Sequence, residues 1–136
     1  VNPFLPRIFA RMAGAPGEPA TFLRRSTGSQ LDAEGVRLYR TLLTNSRHCD
    51  GALEMMANWD LAGLALRLGT MRNPVLLVHG ECDSAIPLDS VEAARARLPE
   101  CQMVVAENLG HLAHEEAPEL AAEHVLGFAR AHGILA

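Results

Sequence analysis

Two side chains in the second half of the chain have the types and the spacing that acid–base catalysis requires. Asp83 lies in a Gly-rich loop directly after the apolar run at residues 75–78, and His111 follows Gly110 shortly after a second apolar run. A carboxylate that accepts the imidazole N–H fixes the tautomer of the ring, so the opposite nitrogen is free to act as a general base. The pair therefore predicts half of a catalytic site: a base and the acid that orients it, with a nucleophile as the missing half.

The residues around this pair predict a parallel β-α-β-α unit. The apolar run at 75–78, bounded by Pro and Gly, is typical of a strand that is covered on both faces. A helix with Asp89 or Ser90 as its N-cap is expected next, followed by a second strand at 103–105 and a last helix from Pro118. In such units the functional loops follow the carboxyl ends of the strands, so the acid and the histidine are expected at one edge of the sheet.

The first half of the chain predicts helices only. Apolar residues recur every four positions at Phe4, Ile8 and Met12, and Asp32 and Asp60 are each placed to cap the helix that follows. The chain starts with Val rather than Met, so we expect the natural N-terminus to lie further upstream.

The two halves together predict part of a larger α/β protein. Two parallel strands are marginal alone and need cover on both faces. Residues 71–136 are therefore expected to be the end of a larger sheet, and residues 1–70 a helical segment inserted before it.

Composition and charge exclude several classes of protein. The chain is 49% hydrophobic and 21% charged, which indicates a globular domain. Its net charge is −4 and its basic residues are scattered, so no nucleic-acid partner is expected. No apolar run approaches the roughly 18 residues that a transmembrane segment needs, and no signal peptide is recognisable. Three cysteines without a CxxC motif argue against a disulfide framework or a zinc site, so a cytoplasmic location is expected.

The segments GECDSAIP (80–87) and GHLAHEEAP (110–118) resemble the C-terminal end of α/β-hydrolase-fold enzymes. In that family the loop Asp after the penultimate strand is the triad acid, and the His after the last strand is the triad base. The resemblance implies these roles for Asp83 and His111, a serine nucleophile outside the chain, and no cofactor. It also implies that the helical first half is the lid, and that this chain alone lacks triad-dependent activity.

Three segments, STGSQLDAEGVRLYRTLL, GALEMMANWDL and GHLAHEEAPE, resemble the magnesium-chelatase accessory proteins of bacteriochlorophyll biosynthesis, which belong to this hydrolase family. The resemblance implies a role beside magnesium insertion into protoporphyrin IX. The partners it implies are a small apolar substrate or a tetrapyrrole intermediate, and magnesium chelatase subunits. A non-catalytic protein that binds a tetrapyrrole or the chelatase is the alternative, as is a general carboxylic-ester or C–C hydrolase.

Apolar side chains of the lid are expected to shape the substrate pocket. The residues are Met55, Met56, Trp59 and Leu61. Met-rich helical surfaces line adaptable apolar pockets, although ordinary core packing explains the same residues.

Other residues near the pair have competing interpretations. His114 is a second candidate base, but it does not follow the Gly. The run VLLVHG also resembles an early strand of the same fold, yet no G-x-S-x-G nucleophile elbow follows it, and the segment 27–29 lacks the second Gly. His79 is therefore interpreted as a structural residue at the end of a strand.

Neither a metal nor a cysteine nucleophile is predicted. Glu115 and Glu116 lie beside two histidines, but an acidic pair at a helix start is explained by the helix dipole. Cys82 lacks a neighbouring base in sequence, so a buried, inert thiol is expected.

Overall fold

A computed structural model of the chain describes residues 17–135. In chain order the elements are α1 Glu18–Thr27, α2 Ala33–Leu43, α3 Ser46–Ala57, α4 Leu61–Arg67, a 3₁₀ helix Leu68–Thr70, β1 Val75–Gly80, α5 Leu88–Arg95, β2 Cys101–Ala106, α6 Ala113–Glu116 and α7 Pro118–Ala131. The helix predicted around Phe4, Ile8 and Met12 lies outside the described residues.

Polar side chains cap three of the four α-helices that precede the sheet within residues 17–135. The Asp32 side chain accepts a hydrogen bond from the Gly35 N–H at 2.7 Å, and Asp60 accepts one from the Gly63 N–H at 2.8 Å. Asn45 caps α3 in the same way. Each cap satisfies a backbone N–H that has no partner inside its helix. The predicted caps Asp32 and Asp60 are therefore confirmed.

The helix after β1 begins earlier than the sequence predicts. The prediction of an N-cap at Asp89 or Ser90 is wrong, because Pro87 occupies that position with φ −63° and ψ 141°. Proline has its φ preset for entry into a helix, so α5 starts at Leu88 without a side-chain cap. Asp89 instead lies in the first turn, where its charge is favourable to the helix dipole.

The two strands form a parallel pair whose crossover contains α5. Val75 pairs with Cys101 at one end, and Gly80 pairs with Ala106 at the other. The predicted parallel β-α-β-α unit is confirmed. Because both strands run in the same direction, their carboxyl ends share one edge, and the loops after Gly80 and Ala106 lie side by side.

Apolar side chains of the sheet are incompletely covered within the described part of the chain. Val78 on β1 is 38% exposed, and Val105 on β2 is 42% exposed. Strands of a parallel sheet normally carry cover on both faces. Among residues 17–135, no helix combines the length and the apolar character needed to cross a bilayer.

Candidate active site

Asp83 occupies a tight loop that follows β1. Its backbone N–H donates to the Gly80 carbonyl oxygen at 3.0 Å. Its Oδ1 accepts from the backbone N–H groups of Ala85 at 2.8 Å and Ile86 at 2.9 Å. An aspartate that bonds the amides following it closes the chain into an Asx turn. The side chain is only 4% exposed, so the turn holds a carboxylate in a buried position.

The Asp83 carboxyl group is stabilised in its charged form. Burial alone would raise its pKa, but hydrogen bonds from the Ile86 N–H, the His111 ring and the Ala85 N–H outweigh burial. The net effect holds the pKa of Asp83 below its ordinary value. At neutral pH the side chain is therefore a carboxylate that can only accept hydrogen bonds.

His111 lies directly against this carboxylate. Its Nδ1 is 2.9 Å from Asp83 Oδ2. Because the carboxylate is an acceptor, Nδ1 carries the proton and Nε2 has the free lone pair. The His111 side chain is 41% exposed, so the ring is anchored by a buried acid on one side and accessible on the other. This arrangement can take a proton from a nucleophile placed at Nε2.

Two other histidines lie nearby in different surroundings. His79, at the end of β1, is 6% exposed, and its Nδ1 is 3.7 Å from Asp83 Oδ2, which is too long for a hydrogen bond. His114 has its Nε2 3.6 Å from Glu115 Oε1 on an exposed surface. The structure thus brings His111 to Asp83 and places His114 away from it. The proximity of His79 to the acid was not predicted.

Three consecutive backbone N–H groups around His111 all have acceptors. The bonds run from Gly110 N to Glu116 Oε1 (2.8 Å), from His111 N to Thr27 O (2.8 Å) and from Leu112 N to Ser29 Oγ (2.9 Å). Two of these acceptors belong to the segment that ends α1, far from the loop in sequence. Hydrogen bonds to the α1 segment and to Glu116 therefore fix the backbone on both sides of the candidate base.

Ser29 holds this loop and is not presented as a nucleophile. It is 2% exposed, its hydroxyl accepts from the Leu112 N–H, and its own N–H donates to Thr27 Oγ1 at 3.1 Å. The sequence of the segment 27–29 lacks the second Gly of a nucleophile elbow and predicts no other role for Ser29. The signal available was a Gly between two hydroxyl residues after a helix, which is also the pattern of an ordinary turn.

Gly28 lets the α1 segment approach the Asp83 loop closely. It has φ 71°, a left-handed conformation that favours glycine. A Cβ on Gly28 would overlap the Cys82 carbonyl oxygen, next to the candidate acid. On the other side of the site, a Cβ on Gly80 would overlap the Gly110 carbonyl oxygen. The α1 segment, the Asp83 loop and the His111 loop therefore meet at backbone contacts that leave no room for a Cβ at Gly28 or Gly80. The Cys82 thiol beside this contact is exposed, so the prediction that it is buried is wrong.

Gly28→Ala is expected to lower the free energy of unfolding by about 1–3 kcal/mol. A side chain is strained at positive φ, and here its Cβ would also overlap the Cys82 carbonyl oxygen. Gly51→Ala is the matched control. A Cβ on Gly51 meets nothing within 4 Å inside α3, so the change is expected to raise the free energy by about 0.5–1 kcal/mol. Chemical denaturation of both variants of the full-length protein measures the difference. Equal effects would contradict the close contact at Gly28.

An apolar cavity of about 460 Å³ opens among α1, α2 and α3. Its lining consists of Phe22, Leu43, His48, Cys49, Ala52, Leu53 and Met56. We call it the α1–α3 cavity. Burial raises the pKa of the Cys49 thiol, whose Sγ lies 3.3 Å from the Leu43 carbonyl oxygen. The thiol is thus neutral and forms part of an apolar wall.

The four apolar residues predicted to shape a substrate pocket are placed unequally. Met56 lines the α1–α3 cavity. Met55, Trp59 and Leu61 do not line that cavity and are each more than half exposed. Trp59 lies after the end of α3, in the connection to α4. The structure therefore brings one of the four to the cavity and leaves three on the surface of the described chain.

The acidic pair after His111 is engaged in hydrogen bonds. Glu115 Oε1 accepts from the Tyr39 hydroxyl at 2.6 Å, and burial together with this bond raises the pKa of Tyr39 to about 12. Glu116 bonds two backbone N–H groups, those of Gly110 and Gln30. Within residues 17–135, no three His, Cys, Asp or Glu side chains converge as they would to hold a metal ion.

A parallel β-α-β-α unit with a buried Asp and then an accessible His after successive strands agrees with the chain order of the acid and base in α/β hydrolases. An α/β-hydrolase family model, described as TAP-like protein, matches residues 42–129. The chain therefore belongs to the α/β-hydrolase family.

Two curated relatives extend this comparison. The chain is 37% identical over 118 residues to the magnesium-chelatase 30 kDa subunit of Rhodobacter capsulatus, a match that covers 86% of this chain and 40% of that protein. It is 32% identical over 114 residues to the pimeloyl-[acyl-carrier protein] methyl ester esterase of Aromatoleum aromaticum, covering 75% of this chain and 44% of that enzyme. The chain thus spans less than half the length of either relative.

A solved structure agrees with the fold. The crystal structure of a membrane phospholipase A superposes with a TM-score of 0.71 at 23% identity, and covers 90% of this chain and 40% of that one. At that identity the likeness concerns the fold alone. Together with the family match, it confirms the predicted α/β-hydrolase architecture.

Proposed function

We propose that the protein carrying this chain is a serine-type hydrolase in which His111 is the general base and Asp83 orients it. The observation that carries the proposal is the 2.9 Å contact between His111 Nδ1 and Asp83 Oδ2, with the acid buried and the ring accessible. The nucleophilic serine is supplied by a part of the protein outside these 136 residues. In this scheme residues 71–136 are part of the catalytic core, and residues 1–70 are its lid.

The reaction is a two-step acyl transfer to water. His111 Nε2 takes the proton of the serine hydroxyl as its oxygen bonds to the acyl carbon, and the imidazolium that forms is stabilised by Asp83. The bond from the acyl carbon to the leaving oxygen breaks, and the leaving alcohol takes the proton from Nε2. Water then attacks the acyl-enzyme by the same route, which releases the acid and regenerates the serine.

We propose an ester with an apolar group as the substrate class. The α1–α3 cavity supports this, because its volume and apolar lining suit a hydrocarbon chain or a flat ring. Met55, Met56, Trp59 and Leu61 would extend the same apolar surface in the complete protein. The esterase among the relatives acts on a methyl ester by its name, which is consistent with this substrate class.

We further propose that this hydrolase is an accessory factor in magnesium insertion into a tetrapyrrole. The identity with the magnesium-chelatase 30 kDa subunit, over 86% of this chain, supports the proposal. The expected partners are a tetrapyrrole intermediate and subunits of magnesium chelatase.

The experiment uses the full-length protein and two readouts. We expect the protein to hydrolyse nitrophenyl esters at a rate that increases with the length of the acyl chain. We also expect a serine-directed fluorophosphonate probe to label it covalently. Both should require His111. A folded protein that neither turns over any ester nor takes the label would contradict the hydrolase proposal.

A non-catalytic accessory protein is the second candidate function, and the same chelatase relative favours it. In that case the protein binds the tetrapyrrole or a chelatase subunit without changing it chemically. Titration with protoporphyrin IX, followed by fluorescence quenching, separates the two. Saturable binding by a protein that the fluorophosphonate does not label favours the binding role.

A further inference from the structure

We propose that Glu116 is a positioning residue that holds the loop carrying His111 in its catalytic geometry. The inference rests on the proposed hydrolase function, since it concerns the base of that site. It assigns a role to a side chain that does not contact Asp83 or the imidazole ring of His111.

Glu116 uses both carboxylate oxygens on backbone N–H groups from two distant parts of the chain. Oε1 accepts from the Gly110 N–H at 2.8 Å, immediately before the candidate base. Oε2 accepts from the Gln30 N–H at 2.7 Å, in the connection between α1 and α2. One carboxylate therefore joins the histidine loop to the segment that leaves α1.

This link completes a clamp around the histidine loop. The segment that leaves α1 already accepts the His111 N–H at Thr27 and the Leu112 N–H at Ser29. Glu116, the last residue of α6, accepts the hydrogen bond from the third of these consecutive groups, the Gly110 N–H. Hydrogen bonds to a carboxylate are shorter and stronger than those between neutral groups. Loss of the Glu116 carboxylate would leave the backbone N–H of Gly110, directly before His111, without this acceptor.

The geometry of the base depends on that clamp. The 2.9 Å contact between His111 and Asp83 joins two loops that also share backbone bonds closer to the strands, such as the one from the Cys82 N–H to the Leu109 carbonyl at 2.8 Å. A shift of about 1 Å in a catalytic group can lower the rate by roughly 100-fold. A residue that limits this shift therefore acts on catalysis without touching the substrate.

Glu116→Gln tests the role with little change of volume. Glutamine keeps one acceptor oxygen and replaces the other with an NH₂ donor, so one of the two backbone N–H groups would face a donor. Glu119→Gln is the matched control, because Glu119 lies on the exposed first turn of α7 and loses the same charge. Glu116→Asp, which keeps the charge on a shorter side chain, is expected to be intermediate.

Kinetics of the full-length protein provide the first readout. Glu116→Gln is expected to lower kcat by about 10- to 100-fold while KM changes by less than about twofold, because the substrate contacts remain. Glu119→Gln should match the wild type. A Glu116→Gln variant with unchanged kcat, or with loss of thermal stability and no kinetic change, would overturn the proposal.

NMR provides a second readout that does not need turnover. The downfield Nδ1 proton of His111 reports its bond to Asp83, and it should shift or broaden in Glu116→Gln but not in Glu119→Gln. If the wild type proves inactive, the hydrolase function fails, and this proton still decides the positioning role. A resonance that stays in place in Glu116→Gln overturns it.

Discussion

Replacement of His111 by Ala in the full-length protein is expected to lower kcat for ester hydrolysis by about 10⁴-fold or more. The Nε2 lone pair is the proposed proton acceptor, and nothing in alanine replaces it. Because the His111 side chain is 41% exposed, its removal leaves no large cavity, and the thermal stability should change little. Steady-state kinetics and a fluorophosphonate labelling rate measure the effect.

His114→Ala is the control for this prediction. His114 lies three residues further on, is exposed, and contacts Glu115 rather than Asp83. Its removal is expected to leave kcat within about twofold of the wild type, as for a surface histidine outside the site. If His114→Ala lost activity and His111→Ala kept it, the acid–base pair would be assigned to the wrong histidine.

Replacement of Asp83 by Asn is expected to lower kcat by about 10⁴-fold. The two backbone N–H groups of Ala85 and Ile86 would keep the amide oxygen of Asn at the Oδ1 position. The NH₂ group would then face His111 Nδ1 and donate to it, which forces the ring proton onto Nε2. That nitrogen could no longer accept a proton. The base would thus be present in the wrong tautomer.

Asp89→Asn provides the matched control, because Asp89 lies on the exposed first turn of α5 in the helix that follows the same loop. It is expected to retain nearly all activity. Comparable losses in both variants would show that charge near the loop matters and that the tautomer of His111 does not.

The Asp83 variants also make a prediction about stability against pH. The pKa of Asp83 in the folded protein lies below the ordinary pKa of an aspartate, so its charged form contributes stability at pH values above that ordinary pKa. The contribution is lost as the pH falls through the folded pKa. Asp83→Asn should therefore flatten the acid side of the stability profile, as measured by denaturant midpoints at a series of pH values. An unchanged profile would contradict the buried, ionised state of the carboxyl group.

The relation between sequence and structure is clearest at the pair itself. The proximity of Asp83 and His111 could be predicted because each lies in the loop that follows a strand, and parallel strands bring such loops to one edge. The caps Asp32 and Asp60 were likewise local signals, since each acts on the helix that immediately follows. The prediction of an N-cap at Asp89 or Ser90 failed because Pro87 is the N-cap and the helix begins at Leu88.

The residues that support the pair could not be predicted from the sequence. Thr27, Ser29 and Glu116 hold the histidine loop through bonds between positions far apart in sequence, except for the short reach from Glu116 to Gly110. The local sequence around Ser29, after α1, or around Glu116, two residues before Pro118, does not indicate which distant backbone group each side chain bonds. The same is true of the α1–α3 cavity, whose lining is drawn from three helices.

The chain alone determined which chemistry was available: an acid and a base, placed by strand endings, within a β-α-β-α pattern that also resembles the α/β-hydrolase family. That information is local, because periodicity, turn residues and caps act over a few positions. Tertiary structure decided the rest. It brought His111 rather than His114 to Asp83, buried the Asp83 side chain while keeping its carboxyl group ionised, and placed the segment 27–29 against the loop that carries His111. These outcomes depend on contacts between backbone groups that are far apart in sequence, and such contacts exist only in the folded tertiary structure.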